Sequence, residues 1–294
     1  KIKNSNNIRL TVQIAQSSSE SGSTNQSTKH ILYTIDCLSI DSGINILNNY
    51  LSKKIDLSHC STIIFSEELA RSGIISYINT LQNNVEVRPD CNIIISDKSA
   101  YDVLDKVSNS GENFSARYFE YIINSEKYTG FTAKSNLRKF FSDMNSPNES
   151  ALAIYTTVSD DIIQNTGIAV FKEDNMIGHL DIEGVISHLL LTNDLTTTVV
   201  TIPSPFKKDD KIDLSLTRRK QTQIDVTLVN NSPFIECDIY LSANILTAHA
   251  NSDYSSADNI RQLENNLNRY IERIVYEYLD TITKEYSCDT ISFG

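Results

Sequence analysis

Residues 61–106 read STIIFSEELARSGIISYINTLQNNVEVRPDCNIIISDKSAYDVLDK, and their punctuation decides the fold class. Two short apolar runs, STIIFS at 61–66 and CNIIIS at 91–96, place large apolar residues side by side. A strand with one wet face would alternate instead, so both runs predict buried strands. Each passes into residues with helical spacing, over 67–82 after the first run and over 99–106 after the second. Gly73 divides the first helical stretch into two pieces, and Arg88-Pro89-Asp90 stops it. Strand, helix, strand, helix with continuous apolar strands predicts an α/β domain around a largely buried sheet.

Upstream, Ile8, Leu10, Val12 and Ile14 alternate with Arg9, Thr11, Gln13 and Ala15, which predicts a half-buried strand. Residues 16–28 are almost pure Ser, Gln, Asn, Thr, Glu and Gly. Such a run cannot offset its ordering entropy by burial and predicts a mobile hairpin loop. Strand character resumes at 30–38 with Ile31, Tyr33 and Ile35. Ser39 or Asp41 can then cap a helix carrying Ile44, Leu47 and Leu51 on one face. Downstream of the polar stretch 108–113, helices are expected at 115–124 and 133–144, and a strand at 150–158.

Ser159-Asp160-Asp161 reads as a domain boundary. Beyond it a strand at 167–172 turns through Glu173-Asp174-Asn175 into 176–182, a hairpin pattern. A short helix at 184–191 and a Thr- and Val-rich strand at 195–202 follow. Pro203 and Pro205 read as a second break. Ile212, Leu214 and Leu216 alternate, then Ile224, Val226 and Leu228, then Ile235, Cys237, Ile239 and Leu241, with a turn at Asn230-Asn231-Ser232-Pro233. That is an antiparallel sheet. The clearest element is a helix over 258–286, where Ile260, Leu263, Leu267, Ile271, Ile274, Tyr278 and Ile282 recur at three- and four-residue spacing and predict packing over the sheet. The expected organisation is mixed α/β and α+β, in three consecutive domains each with a sheet flanked by helices. These are an N-terminal α/β domain at 1–158, a small middle domain at 159–203, and a C-terminal antiparallel-sheet and long-helix domain at 204–294, truncated at its end.

Composition narrows the function classes. The chain has 294 residues and a formal net charge of −11. That balance argues against nucleic acid, which demands a basic face, and against unaided adsorption to an anionic bilayer. No apolar run reaches about 18 residues, the minimum for a membrane-crossing helix. The first residues, Lys1-Ile2-Lys3-Asn4, do not read as a signal peptide, so the chain is expected either to stay in the cytosol or to be trimmed. Cys37, Cys60, Cys91, Cys237 and Cys288 are spread widely without a C-x-x-C pair and read as small buried hydrophobes.

Catalytic motifs are missing. His30, His59, His179, His188 and His249 make no H-x-x-x-H or H-E-x-x-H pattern, and His59-Cys60 are chain neighbours whose side chains point apart. Nine glycines form no G-x-G-x-x-G, P-loop or G-x-S-x-G sequence. Ser204-Pro205-Phe206-Lys207 has S-x-x-K spacing but sits at a proline-marked break, which favours a linker. Asp160-Asp161 and Asp209-Asp210 lack the spacing of a calcium loop and read as solvated loop charges. No catalytic, cofactor-binding or metal-ligating residue is assigned, no cofactor is expected, and binding or scaffolding is favoured over catalysis.

Three blocks resemble one family, the C subunit of bacterial spore nutrient-germinant receptors. Residues 58–74, SHCSTIIFSEELARSGI, resemble its H-x-x-x-I-I-x-S-E-x-L-A-x-x-G-I stretch. Gly167-Ile168-Ala169-Val170-Phe171-Lys172 followed by Ile177-Gly178-His179-Leu180 is similar to its G-x-A-x-F-K hairpin. The long helix ending in Cys288-Asp289-Thr290-Ile291-Ser292-Phe293-Gly294 resembles its C-terminal helix and D-x-x-x-F-G close. The resemblance implies a lipoprotein on the outer surface of the spore inner membrane, made of three α/β domains and without a catalytic role. It also implies A and B receptor subunits as partners, an N-terminal lipid anchor absent from this chain, and a last domain that continues further. The alternative expectation is a small-molecule, germinant-binding protein using an inter-domain cleft. The shared residues themselves read structurally: Gly73 at a helix stop, Gly167 and Gly178 where strands bend or approach, Phe171 in the core.

Overall fold

A computed structural model describes residues 7–17, 28–109, 115–124, 129–147, 149–159, 162–207, 209–230, 232–247, 254 and 256–291. The fold is mixed α+β, with several sheets flanked by helices. The chain divides into two compact units, one formed by Lys1–Asn124 and Lys134–His179, the other by Ser125–Ala133 and Leu180–Gly294.

The first unit begins with β1 (Ile8–Ser17) and β2 (Thr28–Cys37), an antiparallel pair with Ile8 opposite Cys37 and Ile14 opposite Ile31. The predicted loop at 16–28 is shortened by strand at both ends, and its centre, 18–27, lies outside the described residues. Ser39 starts α1 (Ile40–Tyr50) with a reciprocal capping box: Ser42 N donates to Ser39 Oγ at 3.2 Å and Ser39 N to Ser42 Oγ at 3.0 Å. Gly43 lets α1 close onto the hairpin, since a Cβ there would lie 2.7 Å from both Cys37 Sγ and Leu10 Cδ2.

The main sheet of this unit contains β3 (Thr62–Ser66), β4 (Asn92–Ser96), β5 (Leu152–Val158), β6 (Ile163–Lys172) and β7 (Asn175–Leu180), in that spatial order. The first three strands run parallel and β6 returns antiparallel to β5. Its helices are α2 (Glu67–Arg71), α3 (Ile75–Asn83), α4 (Ala100–Asn109), α5 (Ser115–Asn124) and α6 (Leu137–Asn145). Alternation then fills two cores. Ile93, Ile95, Ala153 and Tyr155 join Leu137, Phe140 and Phe171 on one face, while Ile94 and Ile154 join Val103, Val107 and Phe119 on the other. Covered faces on both sides explain why β4 is an unbroken apolar run.

In the second unit, α7 (Ile182–Leu191) is buried from Gly184 to Leu191, and β8 (Thr197–Pro203) and β9 (Lys211–Arg218) follow. Next come β10 (Gln223–Val229), β11 (Ser232–Asp238), β12 (Leu241–Thr247), α8 (Ala257–Asp280) and one π-helical turn at Thr281–Glu285. β12, β9 and β8 form an antiparallel sheet in that order, and β10 and β11 form a separate two-stranded ribbon. Val200, Ile202, Ile212, Leu214 and Leu216 bury one face of the three-stranded sheet, while α8 packs on α7 and β8 through Leu263, Leu267, Ile271, Ile274 and Tyr278.

Antiparallel pairing runs across both expected divisions, β5 with β6 after Val158 and β8 with β9 after Pro203. Polar or proline-bearing connections between antiparallel strands look like linkers in sequence. Helix α6 starts at Leu137 rather than 133, since Asn136 accepts from Lys139 N at 2.9 Å and caps it, while the chain up to Ala133 belongs to the other unit. The alternating run 235–241 is two strands in two sheets. No Gly or Pro lies near Ile239-Tyr240 to mark the crossing. Ile260, placed on the buried stripe of the long helix, is 41% exposed.

Candidate functional site

Catalysis needs groups left poised for a substrate, whereas the polar clusters of this chain are tied up among themselves. In the first unit the segment around Gly73 meets the turn between β6 and β7. Ile74 N donates to Asp174 O at 3.1 Å, Asn175 Nδ2 to Arg71 O at 2.9 Å, and Arg71 Nη1 to Ile177 O at 3.3 Å. Two of the stretches carrying the family resemblance are therefore in contact. Beside them Tyr155 donates its phenol to Glu67 Oε2 at 2.5 Å, Arg71 Nε donates to Glu67 Oε1 at 2.7 Å, and the His179 ring stacks on Tyr155 at 4.2 Å. Burial alone would raise Glu67, but the hydrogen bonds from Tyr155 and Arg71 outweigh it and hold the carboxyl below its ordinary range. Burial, then the bond to Glu67, pushes the Tyr155 phenol up. Each of these groups is tied to another, and the cluster locks α2 against β5 and β7.

The second unit holds two more such clusters. Buried His188 Nδ1 meets Tyr278 Oη at 3.0 Å, and Tyr278 Oη meets Thr290 Oγ1 at 2.7 Å, tying α7, α8 and the residues after the π turn. Glu183 accepts from Tyr270 Oη at 3.0 Å and from Arg273 Nη2 at 3.1 Å. Both are fixed ties between α7 and α8.

The fragments singled out in sequence stay apart. His59 is exposed and Cys60 half-buried. Ser204 Oγ accepts from Phe206 N at 3.2 Å within the loop joining β8 to β9. Asp210 Oδ1 accepts from Lys211 N at 3.0 Å, and Asp160-Asp161 lie outside the described residues. Cys37 and Cys91 are buried, whereas Cys237 and Cys288 are only half-buried. Among the described residues no three metal-ligating side chains gather, and no helix is long and apolar enough to cross a membrane.

What remains open is a groove of mixed character, with charged groups such as Lys220, Asp238 and Glu264 beside its apolar residues. It measures about 1510 Å³, lies in the second unit and runs between Ile235, Leu241 and Ile245 on one side and Leu263, Leu267 and Ile271 of α8 on the other. Small-molecule pockets are closer to roughly 300–1,000 Å³ and enclosed. Strand β12 lies at the edge of its sheet. Next to it the β10–β11 ribbon leaves Val226 57% and Leu228 76% exposed on one face, where Ile235, paired with Val226, is 41% exposed. Contiguous exposed apolar surface of this kind marks protein contact sites, and a two-stranded ribbon is marginal alone in water. Sequence alternation announced a dry face on these strands; only the structure shows that nothing described covers it.

Comparison with known proteins agrees across the chain. The family described as Spore germination protein N-terminal domain matches residues 2–158, and the family described as Spore germination B3/GerAC like, C-terminal, matches residues 166–294. The Spore germination protein GerQC of Bacillus cereus is 19% identical over 222 residues, which are 76% of this chain and 61% of that relative's length. The crystal structure of the GerBC protein superposes with a TM-score of 0.64 at 17% identity, covering 97% of this chain and 81% of that one, and so shares its fold. With one match on each side of residue 160, the chain belongs to this family of spore germination proteins.

Proposed function

We propose that the chain is a non-catalytic subunit of a membrane-associated nutrient germinant receptor complex required for spore germination. It works with A and B subunits at the outer surface of the spore inner membrane, held there by a lipid anchor that precedes residue 1. Membership of the spore germination family over both halves of the chain carries this reading. The polar clusters support it, because their members are joined to one another rather than aimed at a substrate. The open groove supports it as well. Its size and the adjacent edge strand suit a protein subunit that lays down an extended segment with apolar side chains, pairing along β12 while filling the groove.

The test is genetic. Deleting this chain's gene from the spore former that carries it should abolish germination in response to particular nutrients while spores still form. A normal response to every nutrient tried overturns the proposal. A rise in melting temperature of the purified chain with millimolar amino acids or sugars would replace it with direct germinant binding.

A further inference from the structure

The three-stranded sheet of the second unit has two outer strands, and the chain treats them differently. Against β8 it lays the segment at Thr129-Gly130: Thr198 Oγ1 donates to Thr129 O at 2.7 Å, and a Cβ on Gly130 would lie 3.1 Å from Thr197 O. Among the described residues no strand pairs with the outer side of β12. Proteins commonly blunt such an edge with charge, proline or a bulge. β12 reads Leu241-Ser242-Ala243-Asn244-Ile245-Leu246-Thr247, without a charge or a proline, and its one irregularity comes after Ile245. Ile245 is 37% and Leu246 56% exposed. The edge is left fit for pairing.

We propose that two copies of the chain pair antiparallel along β12, about a two-fold axis through Ala243, and join their sheets into one. Ala243 and Ile245 stand opposite the buried Leu216 and Leu214 of β9, so with Leu241 they belong to the sheet's apolar face. The axis sets Leu241 opposite Ile245 of the second copy and Ala243 opposite itself, which carries that face across the joint. A one-residue slip would turn apolar residues against polar ones. The groove between β12 and α8 then opens onto that of the second copy, and their apolar sides close on each other. A contact of this self-complementary kind stops at two copies.

The charges beside the groove fit the same axis. Arg219 and Lys220 lie beyond the Leu241 end of β12, where Arg219 N donates to Tyr240 O at 2.9 Å and Lys220 Nζ stands 4.8 Å from the Tyr240 ring centroid. Glu264 lies toward the other end. Asn266 Nδ2 donates to Pro203 O at 2.6 Å, and Pro203 pairs with Lys211 near Asp213, the partner of Thr247. A two-fold axis exchanges the ends, so the cations of each copy meet the Glu264 end of the other. This edge is also the one a partner subunit's segment takes under the proposed function. In the free chain the second copy holds it, and the partner's segment enters by exchange. Pairing is measured on the purified chain alone, so its failure leaves the receptor role standing, and failure of that role leaves the pairing standing.

Sedimentation equilibrium of the unsubstituted chain should show a monomer–dimer equilibrium and no larger species. Ser242 and Asn244 lie on the sheet face away from the groove and, about this axis, stand opposite each other in the two copies. Ser242→Glu combined with Asn244→Glu sets like charges opposite each other twice and should weaken the dimer roughly tenfold or more. Ser242→Lys combined with Asn244→Glu sets opposite charges there instead and should restore it. Melting curves at concentrations where all the proteins are monomeric should coincide, which keeps folding out of the comparison. Under oxidation Ala243→Cys should cross-link two copies, and Ser242→Cys should not exceed the background of the unsubstituted chain. A monomer at every concentration overturns the proposal. A dimer indifferent to these charges, or an Ala243→Cys chain that does not cross-link, overturns it as well, because the contact then lies elsewhere.

Discussion

Strand β4 in the first unit and strand β10 in the second are both rich in aliphatic residues, yet one is dry and the other wet. Ile93, Ile94 and Ile95 are each 0% exposed, because helices and neighbouring strands cover both faces of their sheet. In β10, Val226 and Leu228 are 57% and 76% exposed, and among the described residues the strand pairs only with β11. The sequences already differ in period: a continuous run suits a sheet covered twice, an alternating one a sheet covered once. For the ribbon even that one cover is missing among the described residues. The contrast separates a part that is stable through its own packing from a part whose chemistry asks for a partner.

The largest expected effect tests the covered side. Phe171 is 0% exposed and meets Phe140 edge-to-face at a centroid distance of 5.0 Å. Phe171→Ala should lower the stability of the first unit by about 3–5 kcal/mol in urea unfolding, through lost burial and the cavity left behind. A loss below about 1 kcal/mol would mean this face is far looser than its packing indicates.

A smaller effect is expected at Gly73, whose φ of +96° is unfavourable for residues with a Cβ. Gly73→Ala should cost about 1–2 kcal/mol, mainly from backbone strain. A Cβ there would lie 2.6 Å from Asp174 Oδ2, but that flexible carboxylate can swing away. Gly73→Asn should lose less, since Asn tolerates the left-handed region better, and equal losses would point to crowding instead of strain.

Legibility in the sequence followed how local each cause was. Continuous runs gave β3 and β4, the Ser39 cap gave α1, and Gly73 gave the break between α2 and α3, since each signal lies within a few residues. Ser159 to Asp161 and Pro203 to Pro205 carry the composition of linkers, and only strand pairing reveals the hairpins that span them. That Ser125–Ala133 groups with the second unit was invisible for the same reason: nothing local says which unit a short segment joins. The apolar side of the groove was readable residue by residue in the stripe Leu263, Leu267 and Ile271. Its being open was not, because exposure depends on what packs opposite.

A third prediction concerns acid and the tie among Glu67, Tyr155 and Arg71. Glu67 titrates below its ordinary value of 4.5 in the folded protein. Below that value the unfolded chain takes up the proton first, so Glu67's contribution is fully present above about pH 4.5 and is lost as pH falls through the depressed pKa. Glu67→Gln should therefore be less stable than the unsubstituted protein at pH 7, with the gap narrowing below pH 4.5 in denaturant titrations. A gap that stays constant down to pH 3 would show that the carboxylate's charge does not matter to the tie.

The smallest expected effect on folding is on the ribbon, and it bears most directly on the contrast. Leu228 is 76% exposed, so Leu228→Ser removes almost no burial and should change unfolding free energy by no more than about 0.5 kcal/mol. Serine also suits a strand less than a large aliphatic residue does, and that term is of the same small size. If the ribbon is a docking face, the same change should weaken association with the partner subunits while leaving the melting curve in place. A destabilisation of 2 kcal/mol or more, beyond about what an exposed site allows, would mean that Leu228 is covered in solution, by the chain itself or by a second copy. Running the measurement at two protein concentrations separates those cases, because cover by a second copy is the only one that makes the melting temperature rise with concentration.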